Sequence, residues 1–354
     1  MTTDADASPG NEIRLAIKAN NFERLNELLV SSNCTPEVLL ERDIQNNNST
    51  ALHLVVQSLQ IKLIKVLLDS PFCTIELLNA VNSHGATALH LAVESGSIEM
   101  VRDILNHKNC TNECILAKAG HAYYGYTALH HAVIKKHTEI VELFLDSKPE
   151  PLILEGVCRP SFGAFYTADT LAVYYSNTQM ISLFLTHPSC TQYTLERIKA
   201  SSRPVLGVDK IIALCDKKFE YITKIDALIT ALTNKIEYFK LTSVGAPEVI
   251  TTLKKSLSQA KQEYSSQKLT PELQVNFEKS CIAALEKANS AEIKTYLQFF
   301  RGGILKLIDS FLKFLGYDVQ APENRQRFFV PQTTTEKKCD EFEAMFVAAP
   351  VSSV

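Results

Sequence analysis

A charge excess of either sign is missing from the sequence: 36 Lys and Arg stand against 39 Asp and Glu, a formal net charge of −3 over 354 residues. No polyanion partner follows, and the mildly acidic first part and mildly basic second part leave no nucleic-acid footprint. Long apolar runs are missing too. Each apolar stretch meets a Lys or Asp within a few residues, short of the ~20 apolar residues a spanning helix needs, so a soluble protein is expected. The nine cysteines form no dense spacing framework, and Met1 to Gly10 hold no apolar leader. Free thiols in a reducing compartment are expected, with no Sec-type export. Finally, there is no Gly-x4-Gly-Lys-Ser/Thr, Gly-x-Gly-x-x-Gly, His-Glu-x-x-His or Gly-x-Ser-x-Gly string, so familiar phosphate-binding and hydrolase signatures are absent.

What the sequence does contain is repetition. Thr-Ala-Leu-His occurs at Thr50 to His53, Thr87 to His90 and Thr127 to His130. Weaker copies flank these: Leu15-Ala16-Ile17 with Leu25 and Leu28-Leu29 upstream, and Thr167-Ala168-Asp169-Thr170-Leu171-Ala172-Val173 downstream. Five units result. In the third, Ala88 to Val93 reads as a short apolar helix, Glu94 to Ser97 as a turn and Ile98 to Leu105 as a second helix, followed by a polar excursion with a hairpin-like tip. Neither helix is long enough to stand alone, because isolated helices under ~12 to 15 residues are marginal in water. Stacking on neighbouring units supplies the missing burial.

This pattern resembles the ankyrin repeat, with Thr-Ala-Leu-His where that family carries Thr-Pro-Leu-His. The resemblance covers residues 11 to 202 and implies a solenoid that binds protein partners through hairpin tips and first-helix faces. One departure concerns the inter-helix Gly, kept as Gly96 but replaced by Leu59, Lys136 and Ser176. Distorted turns are expected there, since non-Gly residues resist the left-handed conformation. A second departure is extra length. Cys34-Thr35-Pro36-Glu37, Cys73-Thr74-Ile75-Glu76, Cys110-Thr111-Asn112-Glu113 and Cys190-Thr191 each follow a second helix, and Thr as N-cap with an acidic first turn reads as a short additional helix. These insertions resemble those of ankyrin effectors that intracellular bacteria inject into host cells.

Beyond Arg203-Pro204 a longer helical periodicity takes over. Ile211, Cys215, Ile222, Ile225, Ile229, Leu232, Ile236 and Phe239 form one stripe; Val249, Leu253, Leu257, Ala260 and Tyr264 a second; Phe277, Cys281, Leu285 and Ala288 a third; and Ile293 through Leu315 a fourth. An antiparallel helical bundle buries all four. The expected fold class is therefore all-α, an ankyrin-repeat solenoid followed by a C-terminal antiparallel helical bundle. The expected domains are a disordered 1–10, repeats over 11–203, a bundle over 204–319 and a disordered tail over 320–354.

His53, His90 and His130, with Thr50, Thr87 and Thr127, share one repeat phase and read as structural. His107-x2-Cys110-x3-Cys114-x6-His121 holds zinc-type ligands, yet Cys110 is the phase-mate of Cys34, Cys73 and Cys190. Packing is therefore preferred, and no metal or cofactor is implied. Candidate partner contacts are Tyr123, Tyr124 and Tyr126 at one loop tip, Phe162, Phe165 and Tyr166 at the next, and Tyr174 and Tyr175 on the adjoining helix. Filling of the junction with the bundle is the competing reading. The leading function is a non-catalytic scaffold for a host protein. The alternatives are an effector enzyme, with Cys158 and Cys215 as first candidate nucleophiles, and a lipid-surface adaptor acting through residues 290–317. Glu336, Asp340, Glu341 and Glu343 are similar to the acidic C-terminal signals of type IV secretion substrates, which implies non-Sec delivery into the host cytoplasm.

Overall fold

The computed structural model describes residues 8–120, 125–147, 166–201, 207–241, 248–288, 304–315 and 317. The chain divides into two compact units, Met1–Ile212 and Ala213–Val354.

The first is a solenoid of five helix pairs, all-helical among the described residues apart from isolated bridges. First helices run Pro9–Lys18, Ala51–Gln57, Ala88–Glu94, Ala128–Lys135 and Ala168–Tyr174. Second helices run Phe22–Val30, Ile61–Asp69, Ile98–Leu105, Thr138–Ser147 and Thr178–Thr186. First helices pack on first helices and second on second, giving two parallel rows. The reason is visible in burial. In Ala51–Gln57 every residue from Ala51 to Val56 is buried, the mark of a helix covered on all sides. Second helices bury one stripe instead, Leu63, Ile64, Leu67 and Leu68 in one unit and Met100, Val101, Ile104 and Leu105 in the next. Leu52, Leu89 and Leu129 are 0%, 2% and 1% exposed, the same surroundings repeated. At about 2 kcal/mol per buried aliphatic side chain, these layers stabilise helices too short to persist alone.

The Cys-Thr insertions form a third row of short helices, Pro36–Leu40, Ile75–Asn79 and Asn112–Leu116. Thr35, Thr74 and Thr111 occupy their N-caps. Glu37 and Glu76 in the first turns are held below the usual carboxylate range by hydrogen bonds from Thr35 and Thr74. The fifth unit carries the longer Gln192–Ala200 at this place. The fourth unit's Pro149-Glu150-Pro151 lies outside the described residues.

The inter-helix turns are not distorted, contrary to expectation. Asn20, Leu59, Gly96, Lys136 and Ser176 all adopt the left-handed conformation, with φ of 51°, 58°, 73°, 61° and 51°. Each closes the same turn, its N–H donating to the carbonyl three residues back, as Leu59 does to Val56 at 3.1 Å and Gly96 to Val93 at 3.0 Å. Stacking against neighbouring units imposes one turn geometry whatever the residue, at a local cost of about 1 kcal/mol.

In the second unit, Glu248–Ser266 and Pro271–Ala288 pack as an antiparallel pair joined by a short turn. Thr270 caps the latter, its Oγ1 accepting from Leu273 N at 3.0 Å. The long helix Asp209–Leu241 buries Cys215, Tyr221, Ile225, Leu228, Leu232 and Ile236. The expected stripe is thus turned by one residue in places: Tyr221 and Leu228 replace Ile222 and Ile229, which are half-buried, as is Ile211. Tyr221 packs against Tyr264, Phe277 and Phe314, with ring centroids 6.4, 5.6 and 4.8 Å away. A large ring fills that space where an isoleucine would leave a void. The side chain of Phe239, the start of the fourth stripe and the tail from Gln320 lie outside the described residues. Ile304–Phe314 is helical. No described helix is long and apolar enough to cross a membrane.

Candidate functional site

The Thr-Ala-Leu-His motif builds the solenoid's polar frame. Thr50 is the N-cap of Ala51–Gln57, and its hydroxyl accepts from the backbone of His53 while the His53 ring accepts from Thr50 N. His53 Nδ1 lies 3.3 Å from Thr50 N and 2.7 Å from Thr50 Oγ1, and Nε2 lies 2.9 Å from the carbonyl of Ala86 in the next unit. A carbonyl only accepts, so Nε2 carries the proton and Nδ1 accepts. His90 and His130 repeat the arrangement, donating to the carbonyls of Tyr126 at 3.1 Å and Tyr166 at 3.2 Å. Burial pushes all three histidines down to about 4, against the opposing hydrogen bond to the carbonyl. Each histidine therefore ties one unit to the hairpin of the next.

The hairpins are also joined to one another. Ser83 N donates to Asn47 O at 2.8 Å, and Gly120 N donates to Gly85 O at 3.1 Å. A second set of ties runs between the ends of the second helices: His107 Nε2 donates to Leu68 O at 3.0 Å, and His187 Nε2 meets Asp146 Oδ1 at 3.0 Å. His107 and His187 share one repeat phase, three residues before Cys110 and Cys190. With Nδ1 of His107 also accepting from Asn109 N at 3.2 Å, neither ring nitrogen is open to a metal. His121 lies outside the described residues, and no cluster of metal-ligating side chains occurs among the described ones. Cys114 instead receives a hydrogen bond from Cys110, which lowers its thiol below the usual range against burial.

The candidate aromatic contacts divide. Tyr174 and Tyr175 end the fifth first helix at 41% and 44% exposure, and they meet edge to face at 5.2 Å. Tyr166 joins them, its ring 5.3 Å from that of Tyr174. Tyr126 is different: at 7% exposure its ring stacks on His130 and meets His131 edge-on, both at 5.8 Å. Its ring packs on the histidines of its own unit, with little surface to offer a partner. Tyr123, Tyr124, Phe162 and Phe165 lie outside the described residues.

The fifth unit replaces histidine by Thr170 and the buried Leu by Asp169. Asp169 is fully buried, and Arg197 of Gln192–Ala200 donates to its Oδ2 twice, from Nε at 3.1 Å and Nη2 at 2.7 Å. Thr167 Oγ1 donates to the other oxygen. The irregular Asp at an apolar phase was the available signal for this pair; its partner, 28 residues on, was not legible.

The two described thiols of the second unit are buried. Burial raises Cys215 to about 11 and Cys281 to about 12, so neither is an activated nucleophile. The last histidine of the chain is His187, so the region from 204 onward cannot supply a Cys–His pair by itself. Cys158 lies outside the described residues. The bundle's polar centre is Glu278, whose Oε1 accepts from Gln274 at 3.0 Å, from Lys217 at 3.2 Å and from Tyr221. Burial works to raise this carboxyl, and the three donors outweigh it and hold it below the usual range.

Residues 13–114 match the family model for ankyrin repeats in three copies, and residues 89–145 match a second ankyrin-repeat model. The chain carries ankyrin repeats, a module that suggests a role in protein–protein interaction. No curated protein matches the chain. The fifth unit lies outside both matches yet repeats the capping, turn and stacking geometry of the others.

Proposed function

We propose that the solenoid is a scaffold that grips a partner protein along the face carrying the hairpins and the ends of the first helices, with Tyr166, Tyr174 and Tyr175 of the fifth unit as its main contacts. The observation that carries this is the exposed edge-to-face Tyr pair on a helix of a rigid repeat. Such rings offer large contact area at little conformational cost. The neighbouring Lys135 pairs with Glu94 at 3.7 Å, so these two charges on the adjoining first helices offset each other. Affinity capture should therefore recover a specific protein with the wild type, and a Tyr174→Ala/Tyr175→Ala variant should retain it at least about tenfold less, with a melting temperature unchanged within about 2 °C. Undiminished capture by the variant rejects this face.

The finer reading is delivery of the protein by a non-Sec route into the cytoplasm of a host cell, where it acts as a bacterial effector on a host protein. The recurring Cys-Thr insertions and the acidic stretch around Glu336, Asp340, Glu341 and Glu343 support it. A translocation reporter fused to the full chain tests it: signal in host cells that depends on residues 320–354 is expected, and no signal from an intact fusion removes the reading.

A further inference from the structure

His53, His90 and His130 stand in one row along the stacked first helices at 0%, 2% and 1% exposure. In each, Nε2–H is committed to the carbonyl of the next unit, so an added proton has only Nδ1 to occupy. That nitrogen already faces a backbone N–H 3.3 Å away in all three. Nδ1 also accepts from the Thr hydroxyl at 2.7–2.8 Å, so protonation would force that hydroxyl's hydrogen to turn away, set N–H against the backbone N–H and place a cation out of reach of water. The charged and titratable groups facing the row offer no compensating anion. Arg42 faces His53, Lys118 and His131 face His130, and His53, His130 and His131 face His90. Glu94 faces His131, where Lys135 opposes it.

We propose that this row is an acid-sensitive latch, which releases the stacking of the repeats when its histidines take up protons. Burial holds the three at about 4 against an ordinary 6.5. Between those values the unfolded chain binds protons that the folded chain refuses, so stability is full above pH 6.5, falls as the pH drops towards 4, and is lost no further below it. Inside that window each histidine lowers the folded-to-unfolded ratio about tenfold per pH unit. His131 and His137, also lowered by burial, act in the same direction. Ordinary carboxylates, titrating near 4, contribute little above about pH 5. The unit Ala213–Val354 holds no histidine and serves as an internal reference. None of this depends on what the solenoid binds.

The test unfolds the full chain in urea at pH 7.4, 6.0 and 5.2, with His90→Asn identifying the solenoid's transition. That transition should weaken steeply on acidification, with an uptake of three or more protons at pH 5.2 in the wild type, about three from the row and the rest from His131 and His137, and about one fewer in His90→Asn. In parallel, the row's ring resonances in the folded wild type, followed by NMR, should remain those of neutral imidazole down to pH 5. An uptake of one proton or fewer, or row resonances that titrate near 6.5 in the folded protein, would overturn the proposal. If His90→Asn does not fold, the NMR titration decides alone.

Discussion

Leu59, Lys136 and Ser176 occupy the left-handed position that Gly96 fills without strain. Judged one residue at a time, each substitution argues against a regular turn, because a Cβ there costs about 1 kcal/mol. The turn forms anyway, since the two helices it joins bury several aliphatic side chains at about 2 kcal/mol each. Local preference is outvoted, and the strain stays in place. Leu59 is 57% exposed, so little packing would be lost on replacing it. Leu59→Gly is expected to stabilise the solenoid by about 0.5 kcal/mol, strain relief exceeding the added freedom of the unfolded chain. Urea denaturation measures this, and a clear loss of stability would mean that the leucine's contacts outweigh its strain.

Between elements, hydrogen bonds from hairpin to hairpin hold the units in register. Gly85 sits at φ 73°, and a Cβ built on it would lie 2.4 Å from Gly120 N, in the backbone of the next hairpin. Gly85→Ala is therefore expected to cost about 2 kcal/mol, combining an unfavourable backbone region with a displaced inter-hairpin bond. A midpoint within error of wild type in thermal unfolding would show that the hairpins slide apart freely. Helical periodicity in the bundle was legible as stripes, and Leu253, Leu257, Phe277, Cys281 and Leu285 are buried as read. In Asp209–Leu241 the choice between Tyr221 and Ile222 was not. Both are apolar neighbours on one helix, and which one turns inward depends on Tyr264, Phe277 and Phe314 across the interface. A helix of 33 residues also drifts by ~20° per heptad against any fixed seven-residue pattern.

At the scale of the whole solenoid, the repeats must end. Histidine reaches forward to the next hairpin in the second, third and fourth units, and in the fifth unit Asp169 and Arg197 take over within the unit itself. Removing one partner of a buried pair leaves an uncompensated charge. Arg197→Met is expected to cost about 3–5 kcal/mol, whereas Asp169→Leu/Arg197→Met, which restores the leucine of the other units, should recover most of it. Calorimetry on the three proteins checks this, and equal loss in single and double variants would show that the pair contributes packing rather than charge balance. The sequence alone determined the repeat, its phase, the Thr caps and the helical character of both halves. These follow from short-range spacing, which one strand of text records completely. Only the tertiary structure decided that the four non-Gly inter-helix turns are left-handed, that Tyr126 is buried while Tyr174 and Tyr175 face outward, and that Arg197 answers Asp169. The turns and the Asp169–Arg197 pair are settled by packing and contacts between residues distant in the chain, whose energies exceed the local preferences written into any single position.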